Sequence, residues 1–249
     1  MKFNSVSVLF FRESWRKIIR KMSHTFILKG RDSVLTSDFF PPIKLDPDAE
    51  YSIGLTDFEV YNSIPNIDNS NNLFYYDDKS LIIPTGAYEV GELESYLQQK
   101  LGAENISITP NMPTQQTFIK SKHRIDFSKP GTIGKMLGFG KRILEPGQEH
   151  KSDQPVMITN VLAVLIECNL VTGSFINGIE HHTIHMFPIT TPPGFKIIIT
   201  PSVVLFFKVI SKLINNITIS VTDQDGKLLN LRNEILTVRL HLKKENYTS

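Results

Sequence analysis

Near the C-terminal end of the chain, apolar and polar residues alternate in two stretches. Ile217, Ile219 and Val221 alternate with Thr218, Ser220 and Thr222, and further on Leu236, Val238, Leu240 and Leu242 alternate with Thr237, Arg239, His241 and Lys243. A period of two places every apolar side chain on one face of a strand. Both stretches therefore predict half-buried strands of an antiparallel sheet, each with a wet face. Asp225-Gly226 lies between them and is a turn signal, because Gly tolerates positive φ and Asp bonds back to its own chain. The segment reads as the last strand pair of a β-sandwich.

The same reading continues upstream. Thr25–Leu28 and Ser33–Leu35 predict a first strand or hairpin around Gly30. In Phe39-Phe40-Pro41-Pro42 the prolines lack ladder donors and demote the segment to an edge or loop. Tyr51–Ile64 is a long strand whose apolar face switches between Leu55 and Phe58, predicting a bulge near Thr56-Asp57. Leu73–Tyr76 and Ser80–Ile83 predict a hairpin around Asp77-Asp78. Val90, Leu93, Leu97 and Leu101 recur at helical spacing and Gly102 stops them, so one helix is expected, packed as an excursion against the sandwich. Further strands are expected at Ile106–Thr109, Thr117–Lys120, Arg124–Phe127, Val156–Val171, Thr183–Phe187, Phe195–Ile199 and Val203–Ile210, with a polar loop over Ile143–Pro155. Many short strands, turn signals between them and one helix predict an all-β fold, a sandwich or jelly roll, over residues 22–245. Residues 1–21 form a leader and 246–249 a tail.

Charge changes the picture of the leader. Residues 1–21 hold six Lys and Arg against Glu13 alone, a net +5, so a chain of net +2 leaves −3 for the rest. Basicity belongs to the leader, and the body offers no general basic footprint for nucleic acid. The run Val6–Phe11 is too short to span a membrane, and no small-residue cleavage site follows it. Phe11, Trp15, Ile18 and Ile19 fall at helical spacing among basic residues, which reads as a membrane or nucleic-acid arm. The other reading is a disordered tail, or an extension upstream of a start at Met22. Cys168 is the only cysteine and shares a strand face with Leu162, Val164 and Ile166, so an inert core thiol is expected.

Catalytic and metal chemistry find little footing. His181, His182 and His185 are the most metal-like group, but they lack the i, i+2 pair on one strand face that a jelly-roll metalloenzyme would use. Gly134–Gly140 lacks P-loop spacing, since Lys141 is followed by Arg142. Asp223-Gln224-Asp225-Gly226 lacks the terminal Glu of a calcium loop. No cofactor, metal or catalytic residue is expected, and a structural or interaction protein is the better reading.

An ordered set of stretches carries a resemblance. They are Pro41–Leu45 with Tyr51–Leu55, Phe58–Pro65, Ile83–Glu89, Leu137-Gly138-Phe139, Ile166–Asn169 with Thr172-Gly173-Ser174, His182–His185, Pro192–Phe195, and Thr222–Gly226 with Arg239–Leu242. In this order they resemble the minor capsid, or penton, proteins of Polinton/Maverick elements and their adintovirus relatives, from about Met22 to Lys243. Asn233 stands where the family pattern has Gly; Asn tolerates positive φ better than most residues. The resemblance implies a single jelly roll, pentamers at capsid vertices, a double-jelly-roll major capsid protein as companion, and residence in the virion after folding in the host nucleus or cytoplasm. On that reading the adjacent aromatics Phe39, Phe40, Phe206 and Phe207 are the candidate subunit interface, because neighbours on a strand cannot both face one core. The alternative is a cellular jelly-roll module that binds glycan or protein partners.

Overall fold

The computed structural model describes residues 23–245. The basic leader and the tail lie outside them. The described chain groups into two compact units, one built from the stretches on either side of residues 63–162 and the other from 63–162 itself. In chain order the elements begin with β1 (His24–Gly30), β2 (Val34–Lys44) and β3 (Tyr51–Tyr61). The inserted unit then supplies β4 (Leu73–Tyr76), β5 (Lys79–Ile82), α1 (Val90–Leu101), β6 (Ile106–Asn111), β7 (Gln116–Ser121), β8 (Ile125–Asp126), β9 (Ile143–Leu144) and β10 (Glu149–Lys151). The chain returns through β11 (Val164–Cys168), β12 (Ser174–Ile176), β13 (Ile179–His181), β14 (Thr183–Phe187), β15 (Lys196–Ile199), β16 (Phe207–Lys208), β17 (Leu213–Asp223) and β18 (Leu236–Lys244).

The first unit is a two-sheet sandwich. One sheet runs β1-β18-β3-β15, with β16 also on β3; the other runs β14-β11-β17-β2. If β15 and β16 are taken as one interrupted strand, the chain order is first-eighth-third-sixth in one sheet and fifth-fourth-seventh-second in the other. That alternation is jelly-roll topology. Every pairing within both sheets is antiparallel. The inner faces supply the core: Ile53, Leu55, Phe58, Val238, Leu240 and Leu242 from one sheet, and Ile166, Ile217, Ile219 and Val221 from the other, all buried. Phe58 of β3 meets Phe187 of β14 across the gap, with ring centroids 5.2 Å apart.

Local sequence logic explains the irregularities. On β3 the register against β18 slips, so that Arg239 faces Asp57 while Leu240 faces Leu55. The extra residue is Thr56, and its hydroxyl donates to the Arg239 carbonyl at 3.1 Å. The bulge lets Leu55 and Phe58, three positions apart, both point inward, as the face switch predicted. A second slip on β11–β14 skips Ile184, so that Thr183 and Ile184 are both buried. The prolines sit on β2, an edge strand, where Phe39–Pro42 drop out of register between the Asp38–Asn216 and Ile43–Ile214 pairs.

Three expectations about the C-terminal half are corrected. The last two long strands do not pair with each other: β17 lies between β11 and β2, and β18 lies in the other sheet. Their connection begins as the expected turn, with the Asp223 carboxylate accepting from the backbone N–H of Asp225 and Lys227, both at 2.9 Å. It then buries Leu229 and Leu231 and reverses at Arg232 and Asn233, both at positive φ, on its way to the opposite sheet. Only Val164–Cys168 of the apolar run Val156–Val171 is strand, because Val156 and Ile158 pack on the inserted unit's core and Leu162 is exposed. Of Val203–Ile210, only Phe207–Lys208 is strand, and Val209 adds an isolated bridge to Val171.

The helix belongs to the inserted unit, which has its own core. Val90, Leu93 and Leu97 of α1 cluster with Phe74, Ile83, Ile106, Ile108, Ile119, Ile125 and Phe127, all buried. The Glu92 carboxylate accepts from the Glu89 backbone N–H at 2.9 Å, closing the start of α1, and Gly102 at φ 98 ends it. Around the helix stand the sheets β10-β7-β6 and β5-β4-β8-β9. One edge strand of each sheet, β10 of the first and β9 of the second, falls within Ile143–Pro155, which was expected to be loop throughout.

Candidate interaction surface

The wet face of β18 is real, but part of it is covered. Outward residues of the first sheet line up across the strands: Ile27 of β1 beside Arg239 and Asp57, and Lys29 beside Thr237, Glu59 and Ile198. Thr25, His241 and Gly54 form the next row. Gly54 explains the cover. A Cβ there would lie 2.5 Å from the Leu205 carbonyl oxygen and 2.7 Å from Val204 Cγ1. The missing side chain lets the stretch before β16 cross the outside of β3. Phe206 is carried with it onto β18, edge-on to His241 at 6.4 Å and with Lys243 Nζ 3.9 Å from its ring centroid. With the Lys243 side chain 38% exposed, a cation–ring contact of this kind contributes about 0.5–1 kcal/mol.

The four candidate aromatics therefore have four different fates. Phe39 is half-buried and turns toward Phe26, ring centroids 5.6 Å apart. Phe40 is fully exposed. Phe206 packs on its own sheet, and Phe207 is half-buried in β16, paired with Ile53 of β3. The structure does not bring the two pairs together: β2 is an edge of one sheet, and β16 lies on β3 in the other. Sequence reasoning missed Phe195, Ile198, Val203 and Leu205, all well exposed. The available signal was a scarcity of charge around them, not an aromatic pair.

A shallow cleft of about 360 Å³ opens at one end of the outer face, lined by Lys29, Arg31, Glu59, Tyr61, Lys196, Glu234, Ile235 and Thr237. Lys196 donates to Glu59, which raises the lysine and lowers the carboxyl from their ordinary values. Arg31 donates to the Asn233 carbonyl at 2.7 Å, pinning the positive-φ turn beside the cleft.

The histidines are spread over separate tasks. His182 Nδ1 is 2.5 Å from the Val171 carbonyl oxygen, and His181 Nδ1 is 3.8 Å from a Glu167 carboxylate oxygen. His185 is held below its ordinary value by burial. Among the described residues no three of His, Cys, Asp and Glu gather as metal ligands. The Cys168 thiol is buried and burial pushes it up to about 11, so its thiolate population is small. Among the described residues no helix is long and apolar enough to cross a membrane.

No protein-family model matches the chain, and no curated protein does. Among solved structures, the mavirus penton protein is similar. Its crystal structure aligns with a TM-score of 0.48 and 12% identity, covering 90% of this chain and 100% of the mavirus penton protein. The jelly-roll assignment for this chain rests on its own strand order.

Proposed function

We propose that the chain is a structural virion protein, the minor capsid or penton subunit of a Polinton/Maverick or adintovirus-like element. It forms homopentamers at capsid vertices beside a double-jelly-roll major capsid protein. The observation that carries the reading is the ordered resemblance from Met22 to Lys243, whose two ends fall on a jelly-roll strand order. The role is geometric and not enzymatic: a rigid sandwich presents flanks to its neighbours, and five-fold closure needs contacts between two different patches. Size-exclusion chromatography with light scattering, followed by negative-stain microscopy of the full chain, tests it. Five-membered rings are expected; a strict monomer at every concentration overturns it.

The second reading, a jelly-roll module that binds a glycan or protein partner, is favoured by the cleft that sets Tyr61 among Glu59, Glu234 and Lys196. It predicts a binding monomer, and a glycan array read with Tyr61→Ala as control separates the two.

A further inference from the structure

The cleft on the outer face of the first sheet has walls of different chemistry. Lys29 of β1, Thr237 of β18 and Glu59 of β3 stand in one cross-strand row, and Tyr61 follows Glu59 on the same face. Lys29 and Arg31 form a cationic wall, Ile235 and Thr237 the floor, and Tyr61 an aromatic wall backed by the Glu59–Lys196 pair. From β1 to β3 is two strand spacings, about 10 Å. With a volume of about 360 Å³ the cleft is at the small end of ligand sites, room for a sugar ring and not for a long chain.

The charges in it do not cancel. Three cations line the cleft against two carboxylates. Lys196 and Glu59 satisfy each other, and Arg31 gives one N–H to the Asn233 carbonyl, which leaves its charge in place. Among the described residues Lys29 and Glu234 have no partner for their charges, and Tyr61 is 48% exposed. An apolar ligand would strip water from Lys29 and Glu234 and return no hydrogen bond. A peptide added as a strand needs a free sheet edge, but at this cleft β18 and β3 are paired on both sides. The planar fork of Arg31 and the ammonium of Lys29 suit a carboxylate. Glu234 and Thr237 offer acceptors for hydroxyl groups, and Tyr61 offers a flat apolar body with a polar tip. A carboxylate, several hydroxyls and a ring together describe an acidic sugar.

We propose that this cleft binds a carboxylate-bearing sugar unit of a glycan, with Lys29 and Arg31 on the carboxylate and Tyr61 against the ring. The proposal rests on the glycan-binding reading of the chain and names the sugar class.

Chemical-shift titration of the isotope-labelled full chain tests it with three probes: methyl glucuronide, methyl glucoside and a hexaglutamate peptide. The two glycosides differ only in a carboxylate that replaces a hydroxymethyl group. The glucuronide is expected to bind about three- to fivefold more tightly, the factor that one exposed ion pair supplies. Lys29→Ala, a change at an exposed position, is expected to remove that advantage and leave the glucoside unchanged. Tyr61→Ala is expected to weaken both. Equal affinity for the two glycosides, or an advantage that survives Lys29→Ala, overturns the proposal and leaves the glycan reading standing. Shifts at the cleft with hexaglutamate and with neither glycoside overturn it in favour of a protein partner. No shift at the cleft with any probe overturns the proposal together with the cleft as a binding site.

Discussion

The sandwich and the inserted unit are built from different kinds of neighbours. In the sandwich, β1 pairs with β18, so His24 faces Leu242 from the other end of the chain. In the inserted unit, β4 pairs with β5 and β6 with β7, each across a short turn. Turn residues suffice there: Asp77 and Gln115 reverse the chain at φ 47 and φ 55. Pairing distant strands costs loop-closure entropy before any contact repays it. The inserted unit can therefore order from local signals, while the sandwich orders only when its two halves meet.

The largest effects should come from the cores. Phe58 in the sandwich and Phe74 in the inserted unit are both fully buried. Phe58→Ala and Phe74→Ala should each cost about 3–5 kcal/mol. Hydrogen exchange read by mass spectrometry distinguishes where that cost falls. Phe74→Ala should deprotect β4, α1 and β6 while β3 and β18 stay protected. Cys168 gives a second readout, since a buried thiol pushed up to about 11 reacts with a thiol reagent only when the sandwich opens. Fast labelling of Cys168 in Phe74→Ala, with uniform loss of protection, would mean that the units unfold as one, and the contrast drawn between them would fail.

Glycines give a finer version of the same comparison. Gly54 in the sandwich has no left-handed backbone, so Gly54→Ala should act only through its clash with the Leu205 carbonyl and Val204, an overpacking cost of about 1–3 kcal/mol. Gly138 in the inserted unit combines φ +81 with a Gln154 carbonyl oxygen 2.1 Å from any Cβ. Its change to Ala should cost more than Gly54→Ala. Gly147, at the same φ with open space around it, isolates the backbone part at roughly 1–2 kcal/mol. Urea denaturation of the three variants checks the order, and Gly147→Ala matching Gly138→Ala would remove the packing argument.

What the sequence disclosed follows the same division. The helix over Val90–Leu101, the hairpin at Asp77-Asp78 and the Thr56 bulge were all legible, because each depends on residues within a few positions. Asn233 sits at φ 64, where its tolerance of positive φ was expected to serve. Alternation on β17 and β18 told which face each buries but not which strand lies beside it, so two strands of opposite sheets read as a pair. The separate core around Leu93 was hidden for a related reason: an apolar residue does not state which core it joins. Phe206 was offered as a contact for neighbours and instead covers its own sheet, a consequence of a side chain absent at distant Gly54. Phe40 was legible as outward-facing from its adjacency to Phe39 alone.

The smallest expected effect separates the units by acid. Glu59 is held below the usual carboxyl range by its hydrogen bond from Lys196, and Asp77 by its hydrogen bond with His123 and then by the Arg124 backbone N–H. A carboxyl with a lowered folded value stabilises above its unfolded value, 4.5 for Glu59 and 3.8 for Asp77, and loses that contribution as pH falls through the folded value. Both groups are substantially exposed, so solvent screening keeps each contribution small. Lowering the pH from 6 should weaken both the Glu59 side of the sandwich and the Asp77 turn of the inserted unit, each below the unfolded value of its own carboxyl. Glu59→Gln should flatten the acid slope of exchange at β3 and β15 and leave β4 and β5 unchanged; Asp77→Asn should do the reverse. If either substitution flattens the slope in both regions, the acid response is shared between the units and the local account of these two pairs is wrong.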